Sequence, residues 1–244
     1  MWTTGKIIER TNWNDKLFSL HIEADVETFK AGQYIKLGLE LEQKKVPRAY
    51  SLVSAPHEPL LEVLLISVEN GKLSPELAAL NAGDEVLVSG KAGGFMTMDE
   101  VPSAKQLWML ATGTAVGPYI SMLRTEQPWT AFEKIILCYG VRYQEDLAYF
   151  QELQGFQNAF PDRFQLITSV TRQKGCGQLD SRLSDALLSG QLEESAQATI
   201  DTDSQVMLCG NPEMVADIQQ HLLERGLRKN LKREPGHITV ERYW

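Results

Sequence analysis

The stretch VPRAYSLVSAP contains a cation, an aromatic ring and a hydroxyl close together, as Arg48, Tyr50 and Ser51. Side chains of a β-strand alternate between its two faces, so Arg48 and Tyr50 project to one side and Ala49 and Ser51 to the other. A guanidinium group beside a flat ring can bind a ligand that is both phosphorylated and planar. The same residues also fit an ordinary exposed strand face, on which an arginine and a tyrosine pair across a sheet.

Three arginines occupy matching positions in the second half of the chain. Arg142 lies in GVRY and Arg172 in SVTR, each just after an apolar run, and Arg182 follows in DSRL. If those runs are parallel strands, the three guanidinium groups meet at one edge of a sheet. Together they could donate charge-assisted hydrogen bonds to a phosphate monoester, which favours NADP(H) over NAD(H). Each arginine alone is also compatible with ordinary surface solvation.

A glycine- and threonine-rich turn, ATGTAVGP, follows another apolar run. Backbone N–H groups at a turn that opens a helix can bind a pyrophosphate. The spacing is G-x-x-x-G-P rather than G-x-G-x-x-G, so a plain strand-to-helix turn is an equal alternative. A later run ends in LCGNP and places Cys209 and Gly210 at the same predicted edge, although a buried cysteine is usually a small core residue.

The composition is that of a globular protein. The chain has 244 residues, 43% of them hydrophobic and 23% charged, and a formal net charge of −8 with a pI near 5.1, which argues against nucleic-acid binding. Cys138, Cys176 and Cys209 form no metal motif, so neither a disulfide framework nor a structural zinc is expected. No signal peptide or membrane-spanning run is present, so we expect a soluble, cytoplasmic protein without membrane insertion.

The chain divides into two halves with different patterns. Residues 1–101 contain short strand patterns separated by turns, which predicts an antiparallel β-barrel. Residues 102–244 alternate apolar runs with helical patterns, which predicts a doubly wound α/β domain on a parallel sheet. The last helix should begin after Asn211, with Pro212 at its first position, and end near Gly226. Ligands of such a sheet bind beyond the carboxyl ends of its strands, where the motifs of the second half lie.

Several motifs occur in an order that is similar to that of a known family. RAYS, GKLSPEL, ATGTAVGP, VTR with SR, LCGNPEM and the terminal VERYW follow one another over nearly the whole chain. Their order and spacing make the chain resemble the plant-type ferredoxin–NADP reductases, most closely the bacterial branch that serves ferredoxin or flavodoxin. The resemblance implies an FAD-binding β-barrel, an NADP-binding α/β domain, and electron transfer between NADPH and the carrier through FAD.

The resemblance also implies which residues bind the flavin. Arg48 would bind the flavin phosphate, Tyr50 would pack on the isoalloxazine ring and Ser51 would lie near its reactive N5 edge. The GKLS loop would hold the pyrophosphate, since a Ser-Pro helix start presents unpaired N–H groups to an anion. The implied flavin set is Arg48, Ala49, Tyr50, Ser51, Val63, Leu64, Leu65, Gly71, Lys72, Leu73, Ser74, Thr112, Tyr243 and Trp244.

The terminal aromatic residues have roles of their own in the family. By resemblance, Tyr243 covers the isoalloxazine on the face opposite Tyr50 and must move before the nicotinamide can approach, while Trp244 stacks on the adenine. The residues implied at the nicotinamide, with positioning and electrostatic roles, are Ser51, Cys209, Glu241 and Tyr243. The implied NADP set is Gly113, Thr114, Gly117, Pro118, Arg142, Arg172, Arg182, Cys209 and Gly210.

The predicted partners are ferredoxin and flavodoxin, which are acidic proteins. A net charge of −8 does not favour their attraction unless basic residues are grouped. The segment ERGLRKNLKRE offers such a group, although an ordinary helix end with surface cations is the alternative; its members are Arg225, Arg228, Lys229, Lys232 and Arg233. The chain is expected to be a monomer. Rival functions are the reductase component of a two-component oxygenase, a free-flavin reductase, and a non-enzymatic flavin-binding redox subunit.

Overall fold

The computed structural model describes residues 1–243 and divides into two compact units. Unit 1 comprises Met1–Thr97 and Gly117–Thr125, and unit 2 comprises Met98–Val116 and the chain from Glu126 onward. The predicted boundary between residues 101 and 102 lies close to the first crossing between the units. The return of residues 117–125 to unit 1 is not part of that prediction.

Unit 1 is built on a six-stranded antiparallel sheet with short helices. The strands are β1 (Trp2–Asn12), β2 (Leu17–Glu23), β3 (Tyr34–Leu41), β4 (Lys44–Ser51), β5 (Leu61–Ile66) and β6 (Glu85–Ser89), and the helices are α1 (Ser74–Ala79) and α2 (Gly117–Leu123). The strand order is β4-β3-β6-β1-β2-β5, so β4 and β5 are the two outer strands.

The two outer strands of this sheet meet at one point. Leu52, directly after β4, forms an isolated antiparallel bridge with Val63 of β5, and the Val53 amide donates to the Glu62 carbonyl at 2.7 Å. The sheet therefore closes on itself in the manner of a small barrel, around buried side chains such as Leu20. The predicted antiparallel β-barrel is confirmed.

Unit 2 is an α/β fold on a five-stranded parallel sheet. Its strands are β7 (Gln106–Thr112), β8 (Lys134–Val141), β9 (Phe164–Val170), β10 (Ser204–Gly210) and β11 (Ile238–Arg242), and its helices are α3 (Gln127–Ala131), α4 (Phe150–Ala159), α5 (Leu183–Leu188), α6 (Gln191–Ala196) and α7 (Pro212–Glu224). The strand order is β11-β10-β7-β8-β9, and all neighbouring pairs are parallel.

The central strands of unit 2 are largely apolar because both faces of the sheet are buried there, whereas the edge strand β11 has exposed residues. Trp108 and Leu110 pack on one face with residues of α5, α6 and α7, and Met109, on the opposite face, is equally buried. At the start of α7 the Asn211 side chain accepts hydrogen bonds from the next two amides after Pro212. The predicted doubly wound α/β class is confirmed.

Three further observations concern residues 1–243 as a whole. None of the helices in that range is both long enough and apolar enough to cross a membrane. The cysteines Cys138, Cys176 and Cys209 are free thiols, and no cluster of three or more His, Cys, Asp or Glu side chains in the same range could hold a metal ion.

Candidate active site

Strand β4 of unit 1 carries both Arg48 and Tyr50. Arg48 is exposed, and its guanidinium group donates to the neighbouring Pro47 carbonyl at 2.7 Å. It makes no ion pair with any carboxylate of residues 1–243, so its charge is available to an anionic ligand. Burial raises the pKa of the half-buried Tyr50 phenol to about 12 against the opposing charge of Arg48. The ring is therefore uncharged at neutral pH and suited to packing on a planar ligand.

The other predicted flavin neighbours of the barrel lie near its closure. Ser51 ends β4 and is buried, whereas Ala49 is exposed. The side chains of Val63, Leu64 and Leu65 are buried in β5. Because β5 is an outer strand, its backbone edge is the part that a ligand would meet.

The GKLS loop before α1 forms a tight turn. The Gly71 amide donates to the Val68 carbonyl at 2.8 Å, and the Ser74 hydroxyl accepts from the Val68 amide at 3.1 Å. A Cβ atom on Gly71 would lie 2.7 Å from the Ser74 hydroxyl, so glycine is required by the close approach. The backbone amides of Lys72 and Leu73 donate no hydrogen bond to any protein group of the described residues. These N–H groups fit the predicted binding of a pyrophosphate.

The carboxyl ends of β7, β10 and β11 are held together around Gly210. The φ angle of Gly210 is +128°, and a Cβ atom there would collide with the Thr112 hydroxyl. That hydroxyl accepts a hydrogen bond from the Asn211 amide at 2.9 Å, and the Gly210 carbonyl accepts one from the Tyr243 amide at 3.0 Å. Thr112 thus has a role in joining β7 to β10, in addition to its predicted place near the flavin.

Three of the four predicted catalytic residues form one group in unit 2. Cys209 and Glu241 are register partners on β10 and β11, and the Tyr243 side chain hydrogen-bonds to the Cys209 thiol. Burial, helped by the charge of Glu241, raises the pKa of the Cys209 thiol well above its usual value. Burial also raises the pKa of the Glu241 carboxyl to about 7. The thiol is therefore neutral, and Glu241 can gain or lose a proton near neutral pH. Ser51, the fourth residue, belongs to unit 1.

The ATGTAVGP turn is split between the units. Gly113 and Thr114 lie in a 3-10 turn at the end of β7, are half-exposed, and belong to unit 2. The φ angle of Gly113 is +57°, and no atom lies within 4 Å of where its Cβ would be. Gly117 and Pro118 begin α2, are buried, and belong to unit 1. Gly113 and Thr114 are thus the more accessible half of the predicted NADP contacts in this turn.

Arg142 and Arg172 follow the neighbouring strands β8 and β9, and Arg182 lies in the loop before α5. The Arg172 amide donates to the Arg142 carbonyl at 2.8 Å, and the Ser169 hydroxyl donates to the Ser181 carbonyl, next to Arg182. All three arginine side chains are exposed, and none forms an ion pair with a carboxylate of residues 1–243. The edge therefore has three cations available for an anion.

Sequence reasoning missed one residue at this edge. The guanidinium carbon of Arg172 lies 5.9 Å from the centroid of the Tyr143 ring, a cation–π contact that orients the arginine. The signal was available, because Tyr143 directly follows Arg142 in GVRY. Trp244, the predicted adenine-stacking residue, lies outside the described residues.

The basic segment after α7 differs from its prediction at one residue. Arg225 pairs with the Glu193 carboxylate at 2.8 Å and donates to the Ile200 carbonyl at 2.6 Å, so its charge is neutralised within unit 2. The remaining cations are exposed around a turn closed by reciprocal backbone hydrogen bonds between Leu231 and Glu234. We call Arg228, Lys229, Lys232 and Arg233 the basic turn.

Comparison with known proteins identifies the family. The family described as Oxidoreductase FAD-binding domain matches residues 6–96, and the family described as Oxidoreductase NAD-binding domain matches residues 109–220. The Flavodoxin/ferredoxin--NADP reductase of Escherichia coli (strain K12) is 46% identical over 245 residues, which cover 100% of this chain and 99% of that protein. The chain belongs to the flavodoxin/ferredoxin–NADP reductases.

Other members of the flavodoxin/ferredoxin–NADP reductases agree in length and structure. The Ferredoxin--NADP reductase of Azotobacter vinelandii is 33% identical, covering 97% of this chain and 95% of that protein. A crystal structure of a ferredoxin NADP+ reductase from Neisseria gonorrhoeae with bound FAD and NADP superposes with a TM-score of 0.93 at 30% identity, covering 100% of this chain and 99% of that one. The predicted family, enzyme class and cofactor pair are confirmed.

Proposed function

We propose that this reductase catalyses electron transfer between NADPH and a flavodoxin or ferredoxin. Bound FAD supplies the chemistry, because it accepts a hydride as an electron pair and releases electrons singly. The observation that supports the proposal is that Arg142 and Arg172 are joined by a backbone hydrogen bond beyond β8 and β9, with Arg182 in the loop before α5, and that all three are exposed without an ion pair in the described chain. Such an edge suits a nucleotide that carries an additional phosphate monoester.

The barrel residues bind and orient the flavin. Arg48 pairs with a flavin phosphate, and the neutral ring of Tyr50 packs on the isoalloxazine. The amides of Lys72 and Leu73 donate to the pyrophosphate at the turn that Gly71 permits. The outer edge of β5, at residues 63–65, meets the rim of the flavin. The rigid closure of the barrel holds these groups in place before the ligand arrives, which lowers the entropy cost of binding.

The residues at the carboxyl edge of the parallel sheet bind NADP(H). The three arginines hold the 2′-phosphate, and Gly113, Thr114 and Gly210 present backbone groups beside the nucleotide. Cys209 and Glu241 position the nicotinamide; Cys209 does so as a neutral thiol, with no covalent step. Tyr243 and Trp244 have the covering and stacking roles that the family resemblance implies, so Tyr243 must move for the nicotinamide to approach.

The carrier is an acidic protein that meets the basic turn. Its exposed cations attract an acidic surface even though the whole chain is acidic, because attraction at close range depends on local charge. Leu231 is exposed at the centre of this turn and offers an apolar contact. We further propose that the enzyme acts as a monomer, and light scattering of the purified protein tests this.

The visible absorption spectrum of the purified protein tests the proposed function. It is recorded before and after anaerobic addition of NADPH and, separately, of NADH. Flavin bands that are bleached efficiently by NADPH alone are the expected result. Bleaching by both nucleotides alike would remove the 2′-phosphate role of the arginines, and bleaching by neither would leave a non-enzymatic flavoprotein. Faster reduction of free flavin than of flavodoxin or ferredoxin would favour the free-flavin reductase instead.

A further inference from the structure

A partly buried ionic cluster in unit 1 lies outside the proposed nucleotide contacts. The guanidinium group of Arg124, directly after α2, contacts the carboxylates of Glu62 at 2.6 Å and Glu58 at 3.2 Å. The Arg124 side chain is 16% exposed and that of Glu62 is 7% exposed. His21 of β2 approaches Glu62 from the other side, with 3.2 Å between its Nε2 and the carboxylate. We call these four residues the closure cluster.

The closure cluster lies where the barrel closes. Arg124 also donates to the Val53 carbonyl at 3.3 Å, and Val53 in turn bonds to the Glu62 carbonyl through its amide. Val53 follows Ser51 by two residues, and Glu62 immediately precedes Val63. One guanidinium group therefore ties together the two backbone segments that continue into the proposed flavin contacts of β4 and β5.

Further hydrogen bonds make this junction rigid. The Glu58 carboxylate accepts from the Ala55 amide at 2.7 Å, which folds the loop before β5 back on itself. The Ser54 hydroxyl accepts from the Glu62 amide at 2.9 Å, and the Ser121 hydroxyl of α2 donates to the Ser54 carbonyl at 2.7 Å. Helix α2 is thus held to the closure by Ser121 within it and by Arg124 directly after it.

The charges of the closure cluster balance only when His21 is protonated. Glu58 and Glu62 are two carboxylates that face one permanent cation, Arg124. Glu9, the register partner of His21 on β1, adds a further negative charge nearby. The hydrogen bond to Glu62 raises the pKa of His21 above its ordinary value, although burial of the ring opposes this shift. Its Nδ1 atom is buried without a hydrogen-bond partner within residues 1–243, which opposes protonation, so the charged ring depends on the contact of Nε2 with Glu62.

We propose that Arg124 is a positioning residue for the flavin, which fixes the barrel closure between the segments 48–51 and 63–65, and that His21 makes this positioning sensitive to pH. The proposal rests on the flavin contacts proposed above. A group whose folded pKa is raised stabilises the fold below its unfolded pKa, and that contribution is lost as the pH rises through the folded pKa. The barrel closure should therefore loosen as the pH rises through the folded pKa of His21, and FAD, which needs the closed barrel, should be held less tightly there.

The test is a titration of the full-length apoprotein with FAD, followed by quenching of flavin fluorescence from about pH 6 to about pH 9. In the wild type the dissociation constant for FAD should rise with pH. His21→Gln keeps a donor toward Glu62 but cannot titrate, so its dissociation constant should not follow that rise. Arg124→Lys keeps the charge but cannot span Glu58, Glu62 and the Val53 carbonyl, and it should weaken FAD binding by about tenfold.

Arg163→Met is the matched control for loss of stability. Arg163 is a half-buried arginine of unit 2 that donates to the carbonyls of Trp129 and Phe132, so its loss should lower the melting temperature without changing the pH profile of FAD binding. If Arg124→Lys does not fold, the comparison of His21→Gln with the wild type decides alone. The proposal would be overturned if the dissociation constant for FAD rose with pH in His21→Gln as it does in the wild type. It would also be overturned if Arg124→Lys and Arg163→Met weakened FAD binding equally.

A further variant separates this proposal from the proposed flavin site itself. Arg48→Ala should weaken FAD binding at every pH, because it removes a direct phosphate contact. If Arg48→Ala weakens binding and the closure variants do not, the flavin site is supported and the positioning role fails. If Arg48→Ala has no effect on FAD binding, the proposed flavin contacts fail.

Discussion

The hydroxyl of Thr112 occupies the space that a Cβ atom on Gly210 would need. Gly210 also has a φ angle of +128°, a conformation that other residues rarely adopt. The close approach places the ends of β7 and β10 beside the amide of Asn211, which donates to the same hydroxyl at 2.9 Å. Glycine is therefore favoured at position 210 for two reasons: its positive φ angle and the close approach of the Thr112 hydroxyl.

Gly210→Ala should destabilise the protein by roughly 3 kcal/mol, through strain and the collision with Thr112. Thermal and denaturant unfolding measure the change. Gly226→Ala is the matched control, because Gly226 has a φ angle of +88° but no atom within 4 Å of its missing Cβ, and strain alone should cost about 1 kcal/mol there. Equal losses in the two variants would contradict the role of Thr112.

Arg172→Ala should raise the KM for NADPH by roughly 10- to 100-fold while leaving the KM for NADH nearly unchanged. The reason is that only NADPH carries the phosphate that the guanidinium group is proposed to bind. Steady-state kinetics with a small-molecule electron acceptor measure both constants. Arg228→Ala, an exposed arginine elsewhere in unit 2, should change neither, and equal changes for both nucleotides in Arg172→Ala would remove Arg172 from the site.

Tyr243→Ser should tighten NADP+ binding by about tenfold, because the nicotinamide would no longer have to displace the ring. Flavin binding should persist. Equilibrium titration by difference absorption measures the affinity, and Tyr243→Phe, which keeps the ring, is expected to bind NADP+ as the wild type does. An unchanged affinity in Tyr243→Ser would end the gating role of Tyr243.

Reversing two charges of the basic turn, in Lys229→Glu with Arg233→Glu, should raise the KM for an acidic carrier about tenfold and weaken its dependence on salt. Reduction of a small-molecule acceptor should not change. Lys6→Glu with Lys16→Glu in unit 1 alters the net charge equally and serves as the control. A carrier KM that rises equally in both double variants would point to net charge rather than to the basic turn.

The hairpin between β3 and β4 offers a stabilising change. Leu41 pairs with Lys44, so Glu42 and Gln43 form a two-residue turn with φ angles of 50° and 61°. Both angles favour Asn-Gly, and Glu42→Asn with Gln43→Gly should stabilise the protein by about 1 kcal/mol. Denaturant unfolding measures it. The control Gln220→Gly, in the exposed middle of α7, should instead destabilise the protein by about 1 kcal/mol. If the double turn variant also destabilised the protein, Glu42 and Gln43 would not be strained in the turn.

Local pattern was sufficient for much of the fold, since β7, β8 and β10 are largely apolar runs and turn residues separate the strands of the barrel. The edge strand β11 has no such run. Arg142 and Arg172 follow neighbouring strands, which end at a common edge, and Arg182 lies in the loop before α5. The pairing of Arg225 with Glu193 could not be predicted, because the partners are far apart in the chain. The closure cluster was missed for the same reason. Helix α2 is largely apolar and buried on all sides; its sequence predicts burial but not the unit in which it is buried.

The return of residues 117–125 to unit 1 affects how the protein can fold as it is synthesised. When residue 101 leaves the ribosome, the barrel strands are complete in sequence, but Glu58 and Glu62 still lack Arg124, the cation that they share. That arginine arrives only after β7, a strand of the other unit, has emerged without its parallel neighbours. During synthesis, β7 is therefore exposed as an apolar strand without its neighbours in the sheet. This lasts at least until α2, the last helix of unit 1, has emerged.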